Sequence, residues 1–188
     1  MLTALLLAAG EGTRFGGGKM LARLPDGMPL GLRAAARLAP VVSDLRVVVR
    51  AEDAATATAF ETAGHTVVRC PDAALGMAHS LACGIRASAD SAAWLVALGD
   101  MPAIAHSSLV ALIAQWRARD RIVVPVHGGA LGHPVIFPAR YRDELLALRG
   151  DRGARAVLNA HRDDVDEVAL DDPGVLRDID TPADLPAA

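Results

Sequence analysis

Short apolar runs alternate with longer, alanine-rich amphipathic segments along most of the 188-residue chain. The first run, Thr3–Ala9, has no polar alternation and therefore predicts a strand that is buried on both faces. Further strands are predicted at Leu45–Arg50, Thr66–Arg69, Ala92–Leu98 and Ile122–Val126, with helices over Pro29–Leu38, Ala54–Ala63, Met77–Ser88 and Ser107–Arg119. This alternation is typical of parallel βαβ units with right-handed crossovers, so it predicts an α/β fold: a three-layer α/β/α sandwich around a mostly parallel sheet.

The rhythm changes after residue 126. A turn-rich stretch leads to a short predicted strand, then two helices and a late strand, at Val135–Phe137, Ala139–Leu148, Asp151–Ala160 and Val165–Leu170. The last segment, Asp178–Leu185, predicts a short strand that turns into a helix, with Thr181 as N-cap and Pro182 at the first helical position. Because no repeat, low-complexity tract or linker interrupts the chain, we expect one domain over residues 1–188.

Composition narrows the class of protein. A hydrophobic fraction of 52% with 22% charged residues excludes an intrinsically disordered chain. Aromatic residues make up only 3%, which argues against a reader of stacked bases, and a net charge of −3 leaves no overall positive field for a polyanion. We therefore expect no nucleic-acid partner.

Several features bear on the compartment. No apolar run is long enough to cross a bilayer, and the opening residues lack the basic region of a secretory signal. Cys70 and Cys83 fit neither a CxxC motif nor a disulfide ladder. We therefore expect no membrane association and a cytoplasmic location, where a reducing environment keeps disulfides rare.

The first predicted strand runs into a glycine-rich loop, and residues 7–19 read LAAGEGTRFGGGK. Ligands of open α/β sheets bind beyond the carboxyl ends of the strands. Glycines let the backbone turn tightly and bring N–H groups close to a ligand, and Arg14 and Lys19 add positive charge against phosphates. The charge distribution agrees, since residues 1–50 hold seven Lys/Arg against three Asp/Glu.

Two common phosphate motifs are excluded in this loop. Lys19 is followed by Met20, whereas a Walker A loop requires Ser or Thr there. The dinucleotide-binding fingerprint GxGxxG is absent as well. After Gly10 and Gly12 its third glycine would have to stand one position before Gly16. The alternative to a phosphate site is an ordinary strand–helix loop with surface cations.

Two carboxylates are candidates for a metal site. Asp100 follows the strand that ends at Leu98, so it is expected at the same sheet edge as the glycine loop. Carboxylate and phosphate oxygens are the ligands that Mg²⁺ prefers; the alternative is a cap or turn role before Pro102. Near the other end of the chain, Asp178 and Asp180 would face the same way in an extended segment. We assign the second metal ligand to Asp180, with surface charge or capping as its alternative.

Six groups of residues occur in an order that resembles the MobA-like nucleotidyltransferases. They are LAAGEGTRFGGGK with PDGMPL at 25–30, GMAHSLACGI at 76–85, GDMP at 99–102, GHPVIF at 132–137, GDRGAR at 150–155 and DIDTP at 178–182. The resemblance covers nearly the whole chain. The last three groups resemble the molybdenum cofactor cytidylyltransferase branch of that family.

The resemblance implies a nucleotide-diphospho-sugar-transferase-like fold, with Mg²⁺ as cofactor and CTP as co-substrate. It implies nucleotide binding by Ala8, Ala9, Gly10, Gly12, Arg14, Lys19, Gly76 and Ser80. Arg14, Lys19 and Asp100 would be the catalytic residues, and Asp100 and Asp180 the metal ligands. His133 would border the pterin substrate, although a turn role before Pro134 is the alternative.

The activity implied is transfer of CMP from CTP to the terminal phosphate of molybdopterin, with release of pyrophosphate. A phosphate monoester has a second pKa near 6 and is mostly dianionic at neutral pH, so no general base is required. A molybdoenzyme that receives the product is the implied partner. One alternative is a sugar-phosphate or polyol-phosphate nucleotidylyltransferase; another is a non-catalytic protein that binds a nucleotide or cofactor and delivers it.

Overall fold

Eight strands form one mixed sheet in the computed structural model, which describes residues 1–150 and 153–186. The strands are β1 (Leu2–Leu7), β2 (Asp44–Arg50), β3 (Thr66–Cys70), β4 (Ala93–Leu98), β5 (Ile122–His127), β6 (Ala130–Leu131), β7 (Val135–Pro138) and β8 (Val165–Ala169). Their spatial order is β3-β2-β1-β4-β7-β5-β6, and β8 pairs with β5.

The sheet is mostly parallel, as predicted. β1 pairs in parallel with β2 and β4, β2 with β3, and β5 with β8. β7 is antiparallel to both β4 and β5, and β6 is antiparallel to β5. Since β7 runs against its neighbours, it begins at the edge where the parallel strands end. The glycine loop, Asp100 and His133 therefore all belong to one edge of the sheet.

Helices cover both faces of the sheet. They are α1 (Leu30–Leu38), α2 (Ala54–Thr62), α3 (Met77–Ala87), α4 (His106–Arg119), α5 (Arg142–Ala147) and α6 (Arg155–Ala160). Alternate residues of β1 enter different cores: Ala4 and Leu6 pack in the cluster that contains Leu38 and Leu112 of α1 and α4. Leu5 and Leu7 pack in the cluster that contains Leu81 of α3. This period of two confirms the expected α/β/α layers.

Three predicted elements near the end of the chain differ in the structure. The helix expected over 139–148 begins as a 3-10 turn at Ala139–Tyr141, and α5 follows it. The helix expected over 151–160 is seen as α6 from Arg155, while residues 151 and 152 lie outside the described part of the chain. The short strand expected at 178–180 was wrong, and the helix after it is a single 3-10 turn, Pro182–Asp184.

The two cysteines are another difference, because the structure joins Cys70 and Cys83 in a disulfide. Cys70 ends β3, and Cys83 lies on α3, which packs against β3. This packing brings the two α-carbons to 5.8 Å, within the range of disulfides. The spacing of 13 residues alone gave no sign of this pairing, since it depends on the crossover from strand to helix.

Within residues 1–150 and 153–186, we find no helix with the length and apolar character needed to span a membrane.

Candidate active site

Lys19 lies between the two predicted metal ligands. It opens the 3-10 turn Lys19–Leu21, which follows Gly18 in the left-handed conformation, and its side chain is only 8% exposed. Nζ of Lys19 donates to Oδ2 of Asp100 at 2.8 Å and to Oδ1 of Asp180 at 3.2 Å. Folding therefore brings the glycine loop, the end of β4 and the final segment together around one ammonium group.

Backbone contacts place Asp100 and Asp180 side by side. The Gly99 N–H donates to the Leu7 carbonyl, which ties the end of β4 to the end of β1. The Ile179 N–H donates to the Asp100 carbonyl at 3.0 Å, which fixes the neighbouring Asp180 beside the same edge. The space at Gly99 is narrow, because a Cβ there would lie 2.7 Å from Sδ of Met20 and 3.2 Å from the Leu7 carbonyl oxygen.

Arg14 approaches the same cluster from outside. One of its terminal nitrogens lies 2.9 Å from Oδ2 of Asp180, but the side chain is 73% exposed. An exposed ion pair contributes little to stability, and its arginine can change partners at little cost. Arg14 is therefore an exposed cation beside the site, whereas Lys19 is a buried one.

One oxygen atom of these two carboxylates is suited to bind a divalent ion. Oδ1 of Asp100 is buried and has no hydrogen-bond partner among the described residues. An unpartnered carboxylate oxygen of this kind is a hard ligand suited to Mg²⁺. In the described parts of the chain no group of three or more His, Cys, Asp and Glu residues is placed to hold a metal. Further ligands would therefore have to come from a phosphate-bearing substrate and from water.

A cavity of about 340 Å³, here called the polar cavity, opens beside this cluster. Of the residues predicted to bind nucleotide or metal, seven line it: Ala9, Gly10, Gly12, Lys19, Gly76, Ser80 and Asp100. Ala8 does not; it is buried in the core, and its N–H donates to the Val48 carbonyl at 2.8 Å. Arg14 and Asp180 reach the cavity only through the Lys19 cluster.

The far wall of the polar cavity is formed by the start of α3. Gly76 precedes this helix with φ of 116°, a backbone conformation that favours glycine, and it accepts from the His79 N–H. Ser80 lies one turn into α3 and is 4% exposed. The positive end of the helix dipole at this wall favours a negatively charged ligand.

Sequence reasoning missed Arg50, which ends β2 at the same edge. Its Nε donates to the Ala9 carbonyl at 3.0 Å, and a terminal nitrogen lies 2.6 Å from Glu11. Arg50 thus holds both ends of the turn that leaves β1, and it also lines the polar cavity. A signal was present in the sequence, since Arg50 directly follows a buried valine run at the edge where ligands of such sheets bind.

A second cavity of about 250 Å³, here called the apolar cavity, adjoins the first. The two share Leu7, Met77 and Leu98 as lining residues. Most of the other described wall residues of the apolar cavity are hydrophobic: Leu81, Val96, Val124, Leu131, Val135, Phe137, Ala154 and Leu158. Among the described residues, its polar side chains are those of His133 and Arg155.

His133 is the predicted site residue that lies in the apolar cavity rather than the polar one. Its peptide bond to Pro134 is cis, and its Nδ1 is buried with no hydrogen-bond partner among the described residues. Burial lowers the pKa of His133, and the nearby Asp100 carboxylate opposes that shift. His133 is therefore neutral at neutral pH, and its ring can both donate and accept a hydrogen bond.

The fold and this edge of the sheet define a class: an α/β protein whose glycine-rich loop lies beside paired carboxylates at the carboxyl edge of its parallel strands. Residues 4–165 match the family model of the MobA-like NTP transferase domain, and the chain belongs to that family. Nucleotidyl transfer is the chemistry of this family. A comparison with curated proteins found no match.

Solved structures give the same fold. Rv0371c from Mycobacterium tuberculosis is 27% identical, with a TM-score of 0.79 over 97% of this chain and 94% of that chain. A complex of Rv0371c with manganese superposes with a TM-score of 0.74, at 25% identity over 90% and 88% of the two chains. A nucleotidyl transferase from Methanothermobacter thermautotroptrophicus reaches a TM-score of 0.81, at 23% identity over 98% and 94%. Molybdopterin-guanine dinucleotide biosynthesis protein A from Archaeoglobus fulgidus reaches 0.69, at 20% identity over 98% and 95%.

Proposed function

We propose that this chain is a Mg²⁺-dependent molybdenum cofactor cytidylyltransferase, which transfers CMP from CTP to the phosphate of molybdopterin and releases pyrophosphate. The observation that carries the proposal is the cluster of Lys19, Asp100 and Asp180, of which Lys19 and Asp100 line the polar cavity, with a second cavity adjoining it. Two adjacent cavities suit a reaction that joins two substrates. The choice of CTP and molybdopterin rests on the resemblance. Ala8-Ala9-Gly10 is similar to the loop of cytidylyl-transferring relatives, where guanylyl-transferring ones usually carry two glycines, and the last three motifs resemble the molybdenum cofactor cytidylyltransferase branch.

The polar cavity would hold the nucleotide. Backbone N–H groups of Gly10 and Gly12 would face the triphosphate, while Gly76 and Ser80 on the opposite wall would face the ribose and base. Lys19 and Arg14 carry the positive charge that the departing pyrophosphate requires. Asp100 and Asp180 would hold Mg²⁺, which when bound neutralises charge on the phosphate oxygens.

The reaction needs two anions to meet in line. A phosphate oxygen of the acceptor forms a bond to the α-phosphorus of CTP, and the bond from that phosphorus to the bridging oxygen of the β-phosphate breaks. Pyrophosphate leaves with the bridging oxygen. Since the attacking phosphate is already deprotonated, the chain's contribution is to position the two substrates and to offset their charge.

The apolar cavity would take the acceptor. Of the described residues, His133 and Arg155 bring polar side chains to it, and these would orient the acceptor within hydrophobic walls. Residues 151 and 152 of the GDRGAR group lie outside the described part of the chain. A molybdoenzyme would receive the product. The disulfide between Cys70 and Cys83 removes the cysteine pattern as an argument for the cytoplasm.

The test has two stages. Thermal unfolding with Mg²⁺ and each of CTP, GTP, ATP and UTP should show a selective upward shift for CTP, because only a ligand of the folded state stabilises it. Pyrophosphate release should then require both CTP and molybdopterin. Release with a sugar phosphate or polyol phosphate instead would replace the proposed acceptor. Nucleotide binding without any pyrophosphate release would favour a delivery protein.

A further inference from the structure

We propose that the ammonium group of Lys19 is the resident cation of the metal site, and that it must leave the two carboxylates before a divalent ion can bind there. The chain would accordingly take up metal together with nucleotide rather than in advance. This inference rests on the proposed function, because it concerns the same two carboxylates.

The geometry supports occupation of the site rather than mere proximity. Nζ of Lys19 lies 2.8 Å from one carboxylate and 3.2 Å from the other, so it bridges them. An ion that used both Asp100 and Asp180 would have to lie in the same gap, at the shorter distances that divalent ions require. Because Lys19 is only 8% exposed, water does not screen the repulsion between the two cations well.

The charge balance of the cluster also indicates that a divalent ion cannot simply be added to it. Asp100 and Asp180 supply two negative charges, and Lys19 and Arg14 supply two positive charges in direct contact with them. The cluster is therefore already neutral, and an added divalent ion would leave it with an excess positive charge. A triphosphate removes that obstacle, since it offers Lys19 and Arg14 other anionic partners and brings oxygen ligands for the ion.

The lysine can move without moving the chain. A Cβ at Gly12 would lie 2.9 Å from Cβ of Lys19, which shows that the loop backbone packs closely against the base of this side chain. The four-carbon stem beyond Cβ is flexible, and Lys19 also lines the polar cavity where the phosphates would lie. A swing of the side chain from the carboxylates to the phosphates is sufficient.

The experiment measures Mn²⁺ binding to the full chain without nucleotide, by the electron paramagnetic resonance signal of the free ion. Lys19→Met should bind Mn²⁺ at least about tenfold more tightly than the wild type, because a buried like charge is removed from the site. Arg14→Met is the matched control: it also removes one positive charge beside Asp180, but an exposed one, and should change the affinity by less than about threefold.

A gain in Lys19→Met that Arg14→Met does not match supports the proposal. Equal gains in both variants would show general electrostatics, and no gain in Lys19→Met would show that the lysine does not occupy the site; either result overturns it. Thermal unfolding adds a second measurement. Mn²⁺ alone should raise the midpoint of Lys19→Met, whose two carboxylates then lack their bridging cation, and leave the wild type nearly unchanged.

Lys19→Gln provides a second neutral variant of similar length in case Lys19→Met does not fold. If neither variant folds, Mn²⁺ binding to the wild type is measured with and without CTP. An affinity for Mn²⁺ that is as high without CTP as with it would overturn the proposal. None of these measurements needs turnover. A chain that releases no pyrophosphate would therefore refute the proposed function while leaving this result readable, and an active enzyme with no lysine effect would refute only the present inference.

Discussion

The polar and apolar cavities lie side by side on one sheet edge, yet different kinds of groups line them. Loop backbone and charged side chains such as Lys19 and Asp100 make the first. Mainly side chains of strands and helices, such as Phe137 and Leu158, make the second. In the proposed function, the two cavities would divide the work along one edge: control of phosphate charge on the side of β1 and β2, and recognition of the acceptor's shape on the side of β7 and β5.

The largest effect should come from Asp100, the carboxylate of the polar cavity that contacts Lys19. Asp100→Asn removes the buried oxygen that has no partner and the main contact of Lys19. We expect pyrophosphate release to fall by about 10³-fold, the scale seen when a key electrostatic group is lost from an active site. Asp178→Asn is the control, since Asp178 is an exposed neighbour of Asp180 and should keep turnover within about twofold. Equal losses in both variants would contradict the metal assignment.

A charge placed at the apolar cavity should affect only the acceptor. Leu131 lines that cavity and is 38% exposed, so Leu131→Glu adds a charge without disturbing the core. We expect the KM for the acceptor to rise about tenfold, because the new carboxylate repels an anionic acceptor. The KM for CTP should stay within about twofold. Val110→Glu, at an exposed apolar position on α4, controls for added charge, and a matching loss of CTP affinity in Leu131→Glu would break the separation of tasks.

Arg50→Met should affect the KM for CTP, whereas Leu131→Glu should affect the KM for the acceptor. This change removes the donor to the Ala9 carbonyl and the partner of Glu11, so the turn that leaves β1 loses its support. We expect the KM for CTP to rise by up to about tenfold, equivalent to one charged hydrogen bond, with kcat nearly unchanged. Arg69→Met removes a comparable ion pair on β3, away from both cavities, and should be silent in the same assay. An unchanged KM for CTP in Arg50→Met would show that the turn that leaves β1 keeps its conformation without Arg50.

The smallest effect should appear in stability alone. Burial by itself would raise the pKa of Asp164, but hydrogen bonds from Tyr141, Arg140 and Arg121 outweigh it and lower that pKa to about 2. The depressed pKa means that these bonds stabilise the fold above about pH 4 and that their contribution is lost as the pH falls through about 2.

Asp164→Asn should therefore lower the free energy of unfolding at pH 7 by about 1 kcal/mol, a reduced figure because this carboxylate is 34% exposed. Urea unfolding between pH 7 and pH 2 measures it, and the variant's stability should depend less on pH below 4. Asp163→Asn is the control. A change in the KM for either substrate in Asp164→Asn would show that this network reaches the cavities.

Much of the site could be predicted because of a general property of parallel sheets. The ends of β1 and β4 share an edge, so a glycine loop after one and an aspartate after the other had to be neighbours. The same argument applies to Arg50 at the end of β2. Gly76 and Ser80 could be placed in the site only through the resemblance, since nothing local distinguishes Ser80 from an ordinary helix residue.

Other parts of the site depend on contacts between distant segments. Asp180 reaches Asp100 through a backbone hydrogen bond from Ile179, which replaces the strand that the alternation around Ile179 had predicted. The pairing of Cys70 with Cys83 likewise depends on how α3 crosses β3. Ala8 is a contrasting case: it belongs to the loop motif and was predicted to bind nucleotide, but packing buries it in the hydrophobic core.

The order of apolar and polar residues by itself determined the layers of the fold, the edge that carries the loop and the types of side chain available there, because backbone periodicity and strand direction are local properties. Only the tertiary structure decided that Lys19 bridges the two aspartates, that His133 belongs to a separate apolar cavity and that the two cavities touch. These facts depend on the positions of segments up to 161 residues apart, which packing and backbone hydrogen bonds fix only when the whole chain has folded.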